Sequence, residues 1–249
     1  MNFSLVTRHP SSVVQNKDRA TIAQMFDRIA LRYDFLNHFF SFHIDKIWRR
    51  KAVNELRGRP LDHVLDVATG TADLALAIQK GLQPAHITGV DISEGMLAIG
   101  RQKIEKKGLE QIISLLYGDS EALPFADQMF DAVTVAFGVR NFEHLEKGLF
   151  EMFRVLKTGG KLVILEFSIP KNRFFRRFFY FYFSRILPLV GRAVSRDNHA
   201  YNYLPDSVQS FPHGAEFKKR LEDCSFKEVT IRPLTFGIAS IYTGNKHQK

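Results

Sequence analysis

From His63 onward the chain alternates short apolar runs with helical ones, and no other feature constrains its fold as much. HVLDVAT is the first short run, followed by a Gly/Thr turn and the alanine-rich helical run ADLALAIQKG. ITGVDIS is the second, followed by EGMLAIGRQKIEKKG, which reads as a helix ending at Gly108. IISLLYGD, DAVTVAFG and GGKLVILEFS are the third to fifth, with a helix expected over about 144–156 before the last. Alternation of this kind predicts a parallel sheet with helices on both faces. After a helix near 214–224, the runs EVTIRPL and IASIYTG are only a few residues apart. They must form a hairpin, so one edge of the α/β sheet is expected to be antiparallel. Upstream, Ile22, Met25, Phe26, Ile29, Ala30 and Tyr33 recur at helical steps and mark one apolar face, and 36–48 reads as more helix. The first 18 residues are polar and expected to be loosely ordered. The expected organisation is therefore a helical extension over 1–60 that covers part of the site, and an α/β domain over 61–249. An aromatic and basic helical insertion is expected at about 170–212.

In open α/β sheets, ligands sit at the carboxyl ends of the strands, where a loop meets a helix N-terminus. The first such loop is Asp66-Val67-Ala68-Thr69-Gly70-Thr71-Ala72-Asp73. Gly70 can bring its backbone close to a ligand and Thr71 offers a hydroxyl. Asp91 ends the second run, where a carboxylate can accept two hydrogen bonds from a ribose diol. Asp119, with Ser120, follows the third, where it can accept from an adenine amine. An acid after a strand is often only a helix cap. Three in succession point instead to an adenosine pocket. A nicotinamide dinucleotide would want G-x-G-x-x-G after the first strand, and this loop has one glycine, Gly70. No ATP-type P-loop occurs.

The formal net charge is +9 and the pI about 9.7, a balance that favours an acidic partner, either nucleic acid or an anionic membrane surface. Cys224 is the only cysteine, so no internal disulfide can form, as expected for a reducing cytoplasm. A thiolate zinc site is excluded and no metal is expected. The first residues show no apolar core of signal-peptide length, and no apolar run is long enough for a membrane span.

YDFLNHFFSFHIDKIWR (33–49) and FRVLKTGGKLVILEFS (153–168) resemble the two signature regions of the ubiquinone/menaquinone biosynthesis C-methyltransferase family. AFGVRN (136–141) and AYNYLPDSV (200–208) are similar to its pattern as well. The resemblance covers roughly nine-tenths of the chain, from about Met25 on. It implies a Rossmann-like class I methyltransferase fold with a seven-stranded sheet, S-adenosyl-L-methionine as cofactor, and a prenylated quinol methylated at a ring carbon. Demethylmenaquinol is the expected substrate, with dual action in ubiquinone and menaquinone synthesis as the alternative. By the same resemblance Thr71, Asp91, Asp119 and Ser120 carry the cofactor contacts. Arg140 and Asn141 follow the fourth strand, where methyltransferase substrates sit beside the methyl donor. Arg140 is expected to stabilise a phenolate or to pair with a carboxylate, and Asn141 to orient the oxygen. Asp34, His38, His199, Tyr201 and Tyr203 are candidates for the proton acceptor. The chain departs from the family at Ala136 (often Ser), His43 (Gly), Asp45 (His) and Thr158 (Pro). Its Gly-Thr-Ala-Asp loop resembles the menaquinone-only branch.

The substrate of that family carries a long polyprenyl tail, which gives meaning to RFFRRFFYFYFSRILPLVGR (173–192). On a helix Arg173, Arg176, Arg177, Tyr180 and Ser184 share one face, and Phe174, Phe175, Phe178, Phe179, Phe181 and Tyr182 cover most of the rest. Pro188 and Gly191 are expected to end it. A basic amphipathic helix with a wide apolar face suits an anionic bilayer or the substrate tail. Packing on the core or in a homodimer is the alternative. The expected location is cytoplasmic, at the inner face of the cell membrane. An RNA methyltransferase is the rival enzyme, but no RNA-binding module is appended, so no nucleic-acid partner is expected. A non-catalytic peripheral membrane module is the rival without chemistry, and the intact acids of the pocket argue against it.

Overall fold

The computed structural model describes residues 18–182, 185 and 198–247. Residues 1–17 of the polar N-terminal stretch, and Ser184, Pro188 and Gly191 of the aromatic segment, lie outside the described residues. The five expected parallel strands are β1 (His63–Val67), β2 (His86–Asp91), β3 (Ile113–Tyr117), β4 (Phe130–Ala136) and β5 (Leu156–Phe167). The late pair is β6 (Lys227–Leu234) and β7 (Ala239–Asn245). They form one seven-stranded sheet in the order β3-β2-β1-β4-β5-β7-β6. β1 to β5 run parallel, and β7 is antiparallel to both β5 and β6. The strand order reverses between β1 and β4, which opens a crevice at their carboxyl ends.

Alternate residues of the strands feed two cores. Leu65, Val67, Val133 and Val135 pack with α5 (Leu145–Val155) and α8 (Ala215–Asp223) on one face. Val64, Ile87, Ala132 and Val163 pack on the other face with α3 (Asp73–Leu82), α4 (Glu94–Glu105) and α2 (Ile44–Asn54). Trp48, Ala52, Val53 and Leu56 therefore belong to the same core as β1, so the part before residue 60 shares its packing with the sheet.

The first helix, α1 (Arg19–Phe40), runs unbroken for 22 residues. Its Asp27 carboxylate accepts from the Ser93 hydroxyl at 2.6 Å and from the Gly95 N–H at 2.9 Å, tying α1 to the start of α4. A Cβ on Gly95 would stand 2.9 Å from that carboxylate and 3.2 Å from the Asp27 Cα, so the close approach needs glycine. Between α1 and α2 the chain turns through His43, whose φ is 60°, in the left-handed region that glycine favours.

The aromatic segment forms α6 (Arg173–Phe181), capped by Asn172, whose side chain accepts from the Phe174 N–H at 2.9 Å. Its rings divide, unlike the single apolar face read from the sequence. Phe179 is buried, packed with Val208 of α7 (Asn198–Ser210), and Phe175 and Tyr182 are half-buried. Phe174, Phe178 and Phe181 point outward with Arg173, Arg176 and Arg177. Residues 175, 179 and 182 lie at steps of four and three, so a helix can seat only one such stripe on the protein.

Candidate active site

The crevice holds a cavity. Its floor is the loop after β1, its sides are the loops after β2, β3 and β4, and its cover is α1. Gly70, Asp91, Asp119, Ser120 and Asn141 all line it, so the structure brings together five of the residues singled out from sequence. Thr71 and Arg140 are buried beside it and are not on its wall. From α1 come Arg19, Ile22, Phe26 and Tyr33, and from the turn after β4 come Phe137, Gly138 and Phe142.

The floor is wound tightly. Ala68, Gly70 and Ala72 have φ of 51°, 55° and 65°, three left-handed residues at alternate positions, only one of them glycine. Two alanines in that region are strained by about 1–2 kcal/mol each. What holds them is Asp66 beneath the loop, which accepts from the hydroxyls of Thr69 at 2.6 Å and Thr134 at 2.8 Å. Burial pushes the Asp66 carboxyl up to about 6 against those two hydrogen bonds. Ala68 also faces Gly138, where any Cβ would fall 2.5 Å from the Ala68 methyl. The loops after β1 and β4 are thus as close as backbones allow.

Asp91 sits at the rim of this floor. One of its oxygens accepts from the Gly70 N–H at 2.8 Å and the other from the Ser93 N–H at 2.8 Å. The carboxylate keeps acceptor capacity for a further donor. Burial pushes its pKa up to about 6, opposed by the backbone N–H groups of Ser93, Gly70 and Ile92. Asp119 turns one oxygen to the Glu121 N–H at 2.8 Å, and Arg19 of α1 ion-pairs with the other. Arg19 also reaches the buried Glu121 at 3.0 Å. No local pattern signals this Arg19 contact, because its partners lie about a hundred residues away.

Beside the cavity a charged network joins α1, α2, the β1 loop and α4. The Thr71 hydroxyl donates to Asp34 at 2.5 Å and accepts from Lys103 at 3.0 Å. Lys103 also pairs with Asp34 at 2.5 Å and Asp73 at 2.7 Å. Arg49 pairs with Asp45 and lies 3.7 Å from Asp73. Burial raises the Asp73 pKa, but Arg49 and Lys103 outweigh it and leave the group below its usual value. His38 contacts Asp45 at 2.8 Å and Asp73 at 3.6 Å. These three side chains lie close enough to hold a metal ion, yet an arginine and a lysine already occupy their carboxylates. Asp34 and His38, two candidates for the proton acceptor, are members of this network and do not line the cavity. The side chains of His199 and Tyr201 lie outside the described residues.

Arg140 belongs to the short turn Val139–Asn141 that follows β4. Its guanidinium pairs with the fully buried Glu166 at 2.9 Å, donates to the Phe137 carbonyl, and lies 5.4 Å from the centre of the Phe167 ring. On the same turn, Asn141 accepts from the Tyr203 hydroxyl at 3.0 Å.

A seven-stranded sheet in this order, with acids at the ends of β2 and β3 rimming one cavity, is the fold of the S-adenosylmethionine-dependent methyltransferases. Solved structures with that fold match most of the chain. One is such a methyltransferase from Thermotoga maritima, with TM-score 0.61, 19% identity, and coverage of 90% of this chain and 99% of that one. Another is phosphoethanolamine N-methyltransferase 2 of Haemonchus contortus with S-adenosylhomocysteine, with TM-score 0.65, 14% identity, and coverage of 93% and 60%. At the level of sequence the match is far closer. The chain belongs to the ubiE/COQ5 methyltransferase family, whose model matches residues 13–246. It is 48% identical over 230 residues to demethylmenaquinone methyltransferase of Bacteroides fragilis, covering 92% of this chain and 94% of that protein. It is 50% identical over 229 residues to the ubiquinone/menaquinone biosynthesis C-methyltransferase UbiE of Geobacter sulfurreducens, covering 92% and 89%.

Proposed function

We propose that this methyltransferase moves a methyl group from S-adenosylmethionine to a ring carbon of a prenylated quinol, converting demethylmenaquinol to menaquinol. One observation carries the reading: a single cavity is lined by the acids Asp91 and Asp119, by the rings of Phe26, Tyr33, Phe137 and Phe142, and by Asn141. Such a cavity suits a nucleoside at one end and a flat aromatic ring at the other. The substrates in the names of the Bacteroides and Geobacter relatives are of that second kind.

The residues present fit the cofactor. A ribose has two vicinal hydroxyls to donate, and the Asp91 carboxylate at the cavity keeps acceptor capacity beyond its backbone partners. Asp119 and Ser120 line the cavity where they would meet the adenine edge, and nothing lies within 4 Å of where a Gly70 Cβ would stand, so the loop leaves room at its tightest point. Thr71 pins that loop to α1 through Asp34. When bound, S-adenosylmethionine supplies a methyl group on a positively charged sulfur. The remaining work falls to the chain. A ring carbon beside a phenol becomes a good nucleophile once the phenol loses its proton. Asn141 orients that oxygen. Arg140, on the same turn but behind the cavity wall, acts on that charge only through its field. Glu166 tempers that field, since what reaches a phenolate is the field of an ion pair and not of a lone cation. The rings of Phe26, Phe137 and Phe142 exclude water, and alignment of the two reactants supplies much of the acceleration.

The outer face of α6 suits delivery of a tailed substrate. Among the described residues no helix is long and apolar enough to cross a membrane. Exposed Phe174, Phe178 and Phe181 beside three exposed arginines match the chemistry of an anionic bilayer surface instead, at the inner face of the cell membrane. The assay is direct. Purified protein is incubated with methyl-labelled S-adenosylmethionine and a reduced demethylmenaquinone, with the ubiquinone precursor in parallel, and products are weighed by mass spectrometry. A gain of one methyl on the naphthoquinol ring is expected. Label on neither quinol would overturn the reading.

A further inference from the structure

Tyr203 is 3% exposed and far from the β4 turn in sequence, yet its hydroxyl donates to the Asn141 Oδ1 at 3.0 Å. Its ring packs on Ile22 and Met25 of α1, the helix that covers the cavity. Asn141 lines that cavity, and its backbone N–H is held by the Gly138 carbonyl at 2.9 Å. An amide has one face that accepts and one that donates. With its oxygen taken by Tyr203, the Nδ2–H group is what the Asn141 side chain has left to offer the cavity that it lines. A ring oxygen gaining negative charge needs a donor there. The reversed amide would set a carbonyl lone pair against it.

We infer that Tyr203 is a positioning residue for the transfer, fixing the Asn141 amide so that its donor side meets the ring oxygen of the substrate. This rests on the reading of Asn141 as a substrate contact. It also removes Tyr203 from the candidates for proton acceptor. Burial pushes its pKa up to about 12, so the group is a phenol at neutral pH and keeps its proton for Asn141. The device is assembled from three separate segments: α7 supplies the hydroxyl, α1 holds its ring, and the β4 turn carries the amide.

The test is Tyr203→Phe, which keeps the ring and its packing. On a short-tailed soluble quinol, kcat should fall about tenfold, the order of one lost hydrogen bond to a developing charge. Affinity for S-adenosylmethionine and the melting temperature should stay close to those of the parent. The rising limb of the kcat–pH profile should move to higher pH, because a lost donor makes the phenol harder to ionise. The double variant Tyr203→Phe/Asn141→Ala should be no slower than Asn141→Ala alone, since residues that act as a unit are not additive. Asn141→Asp keeps the bond to Tyr203 and removes the donor, so it should lose as much as Asn141→Ala. If Asn141→Ala is slow while Tyr203→Phe keeps its kcat and pH limb, the inference is wrong and the site reading stands. If Asn141→Ala itself is as fast as the parent, the site reading fails first and takes this inference with it.

Discussion

The rim of the cavity and the outer face of α6 are opposite kinds of surface. At the rim, Asp91, Asp119 and Glu121 each have a partner from another element: a loop N–H group, Arg19 of α1, or the His144 backbone. On α6, Phe174 is 76% exposed and Phe178 58%, and the turn at Thr235–Gly237 adds Phe236 at 68%, stacked on Phe175 at 4.0 Å. A half-buried acid must find its hydrogen bonds inside the protein, because leaving one unmade costs more than making it gains. Exposed rings face no such demand. These rings lie exposed beside Arg173, Arg176 and Arg177, the composition of a surface that binds something outside the chain in the function proposed above.

The strongest way to sharpen this contrast is at its most buried charge. Glu166→Ala leaves Arg140 without its partner, so a loss of about 3–5 kcal/mol of folding stability is expected in urea titration. Stability within about 1 kcal/mol of the parent would mean that the pair contributes little. Next comes Asp91→Ala, which should weaken cofactor binding by about 1.5–3 kcal/mol, read by isothermal titration, while the fold stays intact. An unchanged dissociation constant would refute the ribose assignment.

The same acid gives a pH signature. Asp91 and Asp66 both have folded pKa values of about 6 against an ordinary value of 3.8. The folded chain therefore binds these protons more tightly than the unfolded one. Their contribution to stability is fully present below about pH 4 and is lost as pH rises through 6. Ribose hydroxyls donate more strongly to the ionised Asp91 than to its protonated form, so cofactor stabilises the fold most where these acids have stopped doing so. The rise in melting temperature on adding S-adenosylmethionine should be larger at pH 7.5 than at pH 5, and equal shifts would contradict it.

On the other surface the effects are smaller. Replacing Arg173, Arg176 and Arg177 by glutamine should weaken binding to anionic vesicles by about 1 kcal/mol per arginine at low salt, and the parent's own binding should fade as salt rises. Activity on a long-tailed quinol in vesicles should suffer, with activity on a short-tailed analogue unchanged. Equal vesicle binding by variant and parent would leave α6 as an interface for a second copy of the chain. The smallest effect is expected at His43, held at φ 60° on an exposed turn. His43→Gly should raise stability by about 0.5 kcal/mol, the left-handed strain relieved less the added freedom of glycine when unfolded. A drop in melting temperature would mean that the ring packed near His38, with centres 5.6 Å apart, matters more than the strain.

The strands and most of the site were legible in the sequence because they follow local rules. A strand buried on both faces is mostly apolar, as β1 and β4 are apart from His63, Asp66, Asp131 and Thr134, and a crevice at strand ends must be lined by what comes next in the chain. Asp91, Asp119 and Ser120 are what comes next after β2 and β3. The split of the α6 rings was not legible, because periodicity says which residues share a stripe and not which stripe has a surface to rest on. Nor was the partner of Arg140, since Glu166 reaches it only because β5 lies beside β4.

The order of residues alone therefore carried the parallel sheet, its antiparallel edge, and acids at the ends of β2 and β3 that rim one cavity, all consequences of alternation over a few residues. The tertiary structure alone decided which charges and hydroxyls meet. Arg19 with Asp119, Asp34 with Thr71, Glu166 with Arg140 and Tyr203 with Asn141 each join separate segments. A hydrogen bond acts over about 3 Å, and only packing of the whole chain brings such groups that close.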